Sequence, residues 1–268
     1  MKYFLPLILL LALVPSVRAA DIPPALVSQV YGSVVLLYAQ DDSGNLKMRC
    51  TATAYRTLAD VDNAKKIKPK VIRQGYRFVT AAHCVSGETD SEQKLGKYFV
   101  TLDTAGPKTF IPAVLVEAGD KKKGDDFSIF DVVESDSKIP IVPLGTSDSV
   151  SLGENVINVA GPEGLGKQFF IGYVSEKHLD RPPLDAGDVQ WTDVMLVSIG
   201  GGPGSSGSAI VSVAQKAIVG FLVGSKGGQG GFIVVPVKKF IDFEKAVDAG
   251  TYKKEKPNRD SEEVIEGT

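Results

Sequence analysis

Short apolar runs recur along the chain, each bounded by glycine, proline, asparagine or acidic turn residues. "GSVVLLYAQ" (32–40), the turn "DDSGN" (41–45) and "LKMRCTATAY" (46–55) have the pattern of a β-hairpin. "YRFVTAAHCV" (76–85), "KYFVTLD" (97–103), "FIPAVLVEAG" (110–119) and "FSIFDVV" (127–133) continue it. Six further runs follow: "ENVINVAG" (154–161), "QFFIGYVSE" (168–176), "DVMLVSI" (193–199), "SAIVSVA" (208–214), "AIVGFLVG" (217–224) and "GFIVVPV" (231–237). Regular short strands with turn signals predict a β-barrel or sandwich. Helical periodicity appears mainly in "VKKFIDFEKAVDAG" (237–250), where Phe240, Phe243 and Val247 share a face. The polar, basic stretch at 59–74 reads as a surface loop insertion. Residues 251–268, charged and poor in aromatics, predict a disordered tail.

The N-terminus departs from this pattern. "MKYFLPLILLLALVPSVRA" combines Lys2, an apolar run from Phe4 to Val14 and a V-x-A site, the layout of a signal peptide cleaved after Ala19. The run is too short to span ~30 Å of hydrocarbon comfortably. Export to a periplasmic or extracellular location follows, without a stable membrane anchor after cleavage. Removing Lys2 and Arg18 takes the net charge from −2 to −4, so nothing electrostatic favours a nucleic acid partner. Export also bears on Cys50 and Cys84, which are the only two cysteines. An oxidising compartment lets them pair, closing a loop of about 35 residues and contributing about 3–4 kcal/mol in the chain-entropy model. Two free buried thiols are the alternative.

"GGGPGSSGSAI" (200–210) fits three readings: a linker, a phosphate loop or a turn bearing a nucleophilic serine. Apolar strands on both sides oppose the linker. No lysine follows as in G-x-x-x-x-G-K-[ST], and "SAIVSVA" reads as a strand, which opposes the phosphate loop. A serine hydroxyl needs an imidazole to take its proton and a buried carboxylate to fix that imidazole's tautomer. Only His83 and His178 are available as bases. His83 ends an apolar strand beside Cys84, whereas His178 lies in the polar stretch "SEKHLDRPP". "VTAAHC", "DDFSIF" and "GSSGSAI" supply the three groups in the order His, Asp, Ser.

On these motifs the chain resembles a trypsin-like serine protease of the chymotrypsin fold, most of all the HtrA/Deg branch. "TAAHC" resembles that family's histidine motif, "DFSIF" (126–130) its aspartate strand, and "PGSSGSAI" (203–210) its P-G-N-S-G-G-P-L serine motif. "LGTSDSVSLGENVINVAGPEGLG" (144–166) and "IGYVSE" (171–176) point to HtrA-like proteins. The resemblance covers residues 24 to 240 and implies an all-β fold of two six-stranded Greek-key barrels with a short C-terminal helix. The domains would be 20–142 and 143–250, between a signal peptide at 1–19 and the tail at 251–268. Carried over, His83 is the general base, Asp126 its orienting carboxylate and Ser206 the nucleophile, with the N–H groups of Gly204 and Ser206 as the oxyanion hole. Asp125 competes for the carboxylate role, but Asp126 has the matching spacing to "FSIF". Among the serines only Ser206 has glycine at both −2 and +1. Gly200, Gly220, Phe221 and Leu222 are the expected substrate-pocket residues, and glycine at 200 argues against Lys/Arg specificity.

Ser208 and Ala209 stand where the family motif has its second glycine and proline. Too few residues follow Val237 for a PDZ domain. The Cys50–Cys84 pair is similar to the histidine-loop disulfide of chymotrypsin. The expected activity is peptide-bond hydrolysis of protein or peptide substrates, with no metal and no cofactor. The contrasting reading is a pseudoprotease using the same fold as a binding module.

Overall fold

Twelve short strands would leave many unpaired edges unless they closed on themselves. The computed structural model describes residues 22–64, 74–85, 97–102, 108–120, 124–133, 138–181, 191–225 and 231–253, and in it they close into two antiparallel barrels. The first contains β1 (Val34–Gln40), β2 (Leu46–Thr57), β3 (Gly75–Thr80), β4 (Tyr98–Thr101), β5 (Ile111–Ala118) and β6 (Ser128–Val133), in the order β1-β2-β3-β6-β5-β4. The second contains β7 (Asn155–Ala160), β8 (Gln168–Arg181), β9 (Trp191–Ser198), β10 (Ala209–Ser212), β11 (Ala217–Ser225) and β12 (Gly231–Pro236). Its order, β7-β8-β9-β12-β11-β10, repeats that of the first. This is the chymotrypsin-like double barrel.

Burial along β2 shows how the barrels meet. Leu46 to Arg49 alternate between half-buried and exposed, but Cys50 to Tyr55 are all buried. One face of that half fills its own barrel, and the other meets the second, where Thr53 Oγ1 accepts the Ala209 amide at 3.3 Å. The chain changes barrels between Val142, whose amide donates to Ala54 O (3.3 Å), and Pro143, whose carbonyl accepts from Ile218 (2.8 Å).

Among the described residues, three α-helices complete the fold: α1 (Pro24–Ser33), α2 (Leu58–Ala64) and α3 (Val237–Asp248). The sequence reading did not anticipate α1; Leu26 and Val30 are its buried stripe. A correction concerns 59–74, read as a loop: its first residues belong to α2, which buries Leu58 and Val61. Residues 65–73 lie outside those described. On α3, Phe240 and Phe243 pack with Phe127 and Phe221 at centroid distances of 5.1–6.4 Å. Tyr252 meets Phe243 edge-on at 4.8 Å, so ordered packing continues two residues past Gly250. The rest of the expected tail and the expected signal peptide lie outside the described residues.

Ion pairs tie α3 to the first barrel. Arg77, only 1 % exposed, is gripped by Asp131 (2.8 and 3.3 Å) and by Asp248 of α3 (2.9 Å). Burial opposes its charge, but Asp131, Tyr55 and Asp248 together outweigh it and hold the guanidinium above its usual range. Glu244 accepts from Tyr55 and Arg56, each at 2.9 Å. No helix of the described residues is long and apolar enough to cross a membrane.

Candidate active site

β3 ends at Thr80, and a single 3-10 turn (Ala82–Cys84) projects His83 from the barrel. Its backbone N–H donates to Asp126 Oδ1 at 2.9 Å, and its Nδ1 lies 2.7 Å from Asp126 Oδ2. The Asp126 side chain is 1 % exposed and that of His83 34 %, so the carboxylate is sealed while the ring reaches the surface. A carboxylate at Nδ1 favours the proton there and leaves the Nε2 lone pair outward. Asp125 lies elsewhere, its carboxylate 3.5 Å from the Tyr252 hydroxyl. His178 is also apart, on β8, pairing with Asp193 at 2.6 Å. The Cys50–Cys84 disulfide, with Cα atoms 6.0 Å apart, ties the histidine turn to β2. Cys50, Cys84 and His83 have ligand atoms within 4.8 Å of one another, but sulfurs joined in a disulfide are not thiolate ligands.

The three serines of 205–208 differ in surroundings. Ser205 is buried and its hydroxyl accepts the Gly202 amide at 3.1 Å. Ser208 is also buried, accepting from Asn158 Nδ2 at 2.8 Å. Ser206 is half-buried, and among the described residues its hydroxyl bonds to neither His83 nor any other group. Backbone contacts bring it to the histidine side: Thr51 N donates to Ser206 O at 3.1 Å, and Thr51 follows disulfide-bonded Cys50. Gly207 makes this approach possible. A Cβ there would lie 2.2 Å from Thr80 Oγ1 and 2.6 Å from Ala81 N, and its φ is +81°.

Gly204 likewise adopts φ +92°, where a Cβ would sit 2.8 Å from Gly161 O. The amides of Gly204 and Ser206 have no acceptor among the described residues, while all four carbonyls from 203 to 206 do have donors. Pro203 O takes the Glu163 amide (2.6 Å), Gly204 O the Thr51 hydroxyl (2.8 Å), Ser205 O the Ser208 amide (3.1 Å) and Ser206 O the Thr51 amide. Within a trans peptide the N–H points opposite to the C=O, so holding Pro203 O on Glu163 aims the Gly204 N–H the other way.

The expected pocket residues divide. Gly200 is half-buried, and a Cβ there would meet the Phe170 ring at 2.4 Å. Next to it, a Cβ on Gly201 would lie 3.0 Å from the Phe232 ring. The other three are buried: Phe221 lies between Phe127 and Phe240, Leu222 belongs to the second barrel's core, and Gly220 faces Val234. β11 is buried on both faces from Ala217 to Val223, and only Gly224 and Ser225 emerge. Phe170 and Phe232 were missed because they lie 30 and 31 residues from the glycines they flank.

Residues 70–221, more than half of the chain and spanning His83, Asp126 and Ser206, match the trypsin-like peptidase domain family. The chain belongs to that family. No curated protein matches it. Two solved structures similar to this trypsin-like peptidase domain are of the HtrA-type protease AlgW. The one with a decapeptide aligns at TM-score 0.62 and 17% identity over 84% of this chain and 67% of that one. The one with a tripeptide aligns at TM-score 0.60 and 21% identity over 84% and 63% respectively. The chain thus spans about two thirds of their length. At these identities, the likeness to AlgW establishes the fold.

Proposed function

We propose that the protein is a serine endopeptidase working through an acyl-enzyme, with His83 as general base, Asp126 as its orienting carboxylate and Ser206 as nucleophile. The observation that carries this reading is the double grip of sealed Asp126 on His83, at 2.9 and 2.7 Å, in a chain of the trypsin-like peptidase family. His83 Nε2 takes the Ser206 proton as Oγ attacks the scissile carbonyl, and the carbonyl π electrons move onto oxygen. The N–H groups of Gly204 and Ser206 receive that charge. On collapse the C–N bond breaks, and the leaving amine takes the proton from His83. Water then attacks the acyl-enzyme with His83 again as base, releasing the acid and restoring Ser206.

Phe170 and Phe232 fill the space beside Gly200 and Gly201. This supports a shallow apolar pocket taking small uncharged side chains. Peptide or protein substrates are in keeping with the peptides in the AlgW structures. The N-terminal apolar segment supports export to the periplasm or the medium. Fluorophosphonate labelling tests the proposal: wild type reacts, and Ser206→Ala does not while remaining folded. The missing Ser206–His83 hydrogen bond favours the contrasting reading, a binding module without turnover. Labelling on Ser205 would overturn the serine assignment, and failure of wild type to label would favour the binding module. Catalytic hydrogen bonds are often loose without substrate and tighten when it binds.

A further inference from the structure

The geometry points to Thr51 as the positioning residue of the oxyanion loop, an inference that rests on the peptidase reading. Thr51 is fully buried on β2 and touches three separate segments at once. Its hydroxyl donates to Gly204 O (2.8 Å) and accepts the Gly161 amide (2.9 Å). Its amide donates to Ser206 O (3.1 Å), and its carbonyl accepts the Thr80 hydroxyl (2.8 Å). One residue therefore grips the carbonyls of both Gly204 and Ser206, whose amides face the proposed oxyanion. It also holds Gly161, two residues before Glu163, whose amide fixes Pro203 O. Through Thr80 it is anchored to the strand that leads into His83.

The hydroxyl supplies what the backbone cannot. Gly204, at φ +92°, has no side chain to limit rotation of its two flanking peptides. The peptide before it is held by Glu163 at its carbonyl; the one after it is held by Thr51 Oγ1 at its carbonyl and by Gly202 O at its N–H (2.9 Å). Without that hydroxyl both Gly204 O and the Gly161 amide lose their partner, which loosens the loop after Gly204 and the segment whose Glu163 amide holds Pro203 O, and with it the aim of the Gly204 N–H. Loss of aim affects the oxyanion more than the uncleaved substrate, because preorganised donors act where charge develops.

The test compares wild type with Thr51→Val, which keeps the shape and removes the hydroxyl, and Thr51→Ser, which restores it. With a fluorogenic peptide, Thr51→Val is expected to lower kcat about 10- to 100-fold with KM within about twofold, and Thr51→Ser to recover most of the loss. Affinity for a peptide aldehyde, which adds to Ser206 and places an oxyanion in the hole, should fall in parallel. Affinity for the cleaved product peptide should not. Thr51→Ala carries the same expectation and replaces the valine variant should that fail to fold. A folded Thr51→Val enzyme with wild-type kcat and aldehyde affinity, or equal weakening of aldehyde and product, overturns the role of Thr51. A wild-type protein that neither labels with fluorophosphonate nor turns over overturns the peptidase reading, and this inference with it.

Discussion

Asp126→Asn separates the electronic role of the carboxylate from its structural one. Asparagine has the same shape, so its oxygen can still accept the His83 amide now held at 2.9 Å. Its NH2 group then faces Nδ1 at the position where Oδ2 stands 2.7 Å away. Two donors cannot face each other, so Nδ1 must become the acceptor and the proton must move to Nε2. Nε2–H can no longer take the Ser206 proton. In a triad this tautomer error costs about 10⁴ in kcat, which is about 5.4 kcal/mol of transition-state stabilisation. Stability should change far less, because both hydrogen bonds survive in altered form and the site is already sealed at 1 % exposure. The assay is kcat/KM on a fluorogenic peptide together with thermal melting of both proteins. A folded Asp126→Asn enzyme retaining more than a tenth of wild-type kcat would refute the tautomer argument. A collapse in melting temperature would show that Asp126 is needed chiefly for folding.

Other outcomes follow from the same contacts. Phe170→Ala should deepen the pocket at Gly200 and shift cleavage-site profiles toward larger apolar residues, and an unchanged profile would remove Phe170 from the pocket. Arg77→Met takes the guanidinium away from Asp131 and Asp248 and should cost about 3–5 kcal/mol in denaturant unfolding; a loss under about 1 kcal/mol would contradict this. Burial, then the nearby Glu244 charge, pushes the Tyr55 phenol well above its unfolded value of 10.0. The folded state therefore keeps a proton that the unfolded chain loses, and the Tyr55 contribution, complete below pH 10, fades as pH rises beyond it. Melting temperature should fall less steeply above pH 10 in Tyr55→Phe than in wild type, and equal slopes would contradict the assignment.

The strands were legible because their apolar stretches are bounded by turn residues, and each of the twelve apolar runs overlaps one strand. The motifs around His83, Asp126 and Ser206 were legible because their chemistry is local. What the sequence hid is mostly long-range. Thr51 looks like any strand threonine until Gly204, 153 residues away, accepts its hydroxyl. Arg77 reads as a polar position in "YRFVT", yet Asp131 and Asp248 allow it to be buried. The motif position of Phe221 does not report that β11 is buried on both faces there. α1 escaped although Pro24 in its first turn and Leu26 and Val30 four apart were signals, because the strong β pattern beginning at residue 32 dominated the reading. Tyr252 escaped because a single aromatic amid charged residues carries no periodicity.

The central claim is that Ser206 is a nucleophile activated by His83. Intact-mass and peptide-mapping spectrometry after fluorophosphonate treatment measures it directly. One adduct per chain is expected, located on Ser206, lost in Ser206→Ala and strongly slowed in His83→Ala. An unmodified wild-type protein, or an adduct located on Ser205 or Ser208, would contradict it.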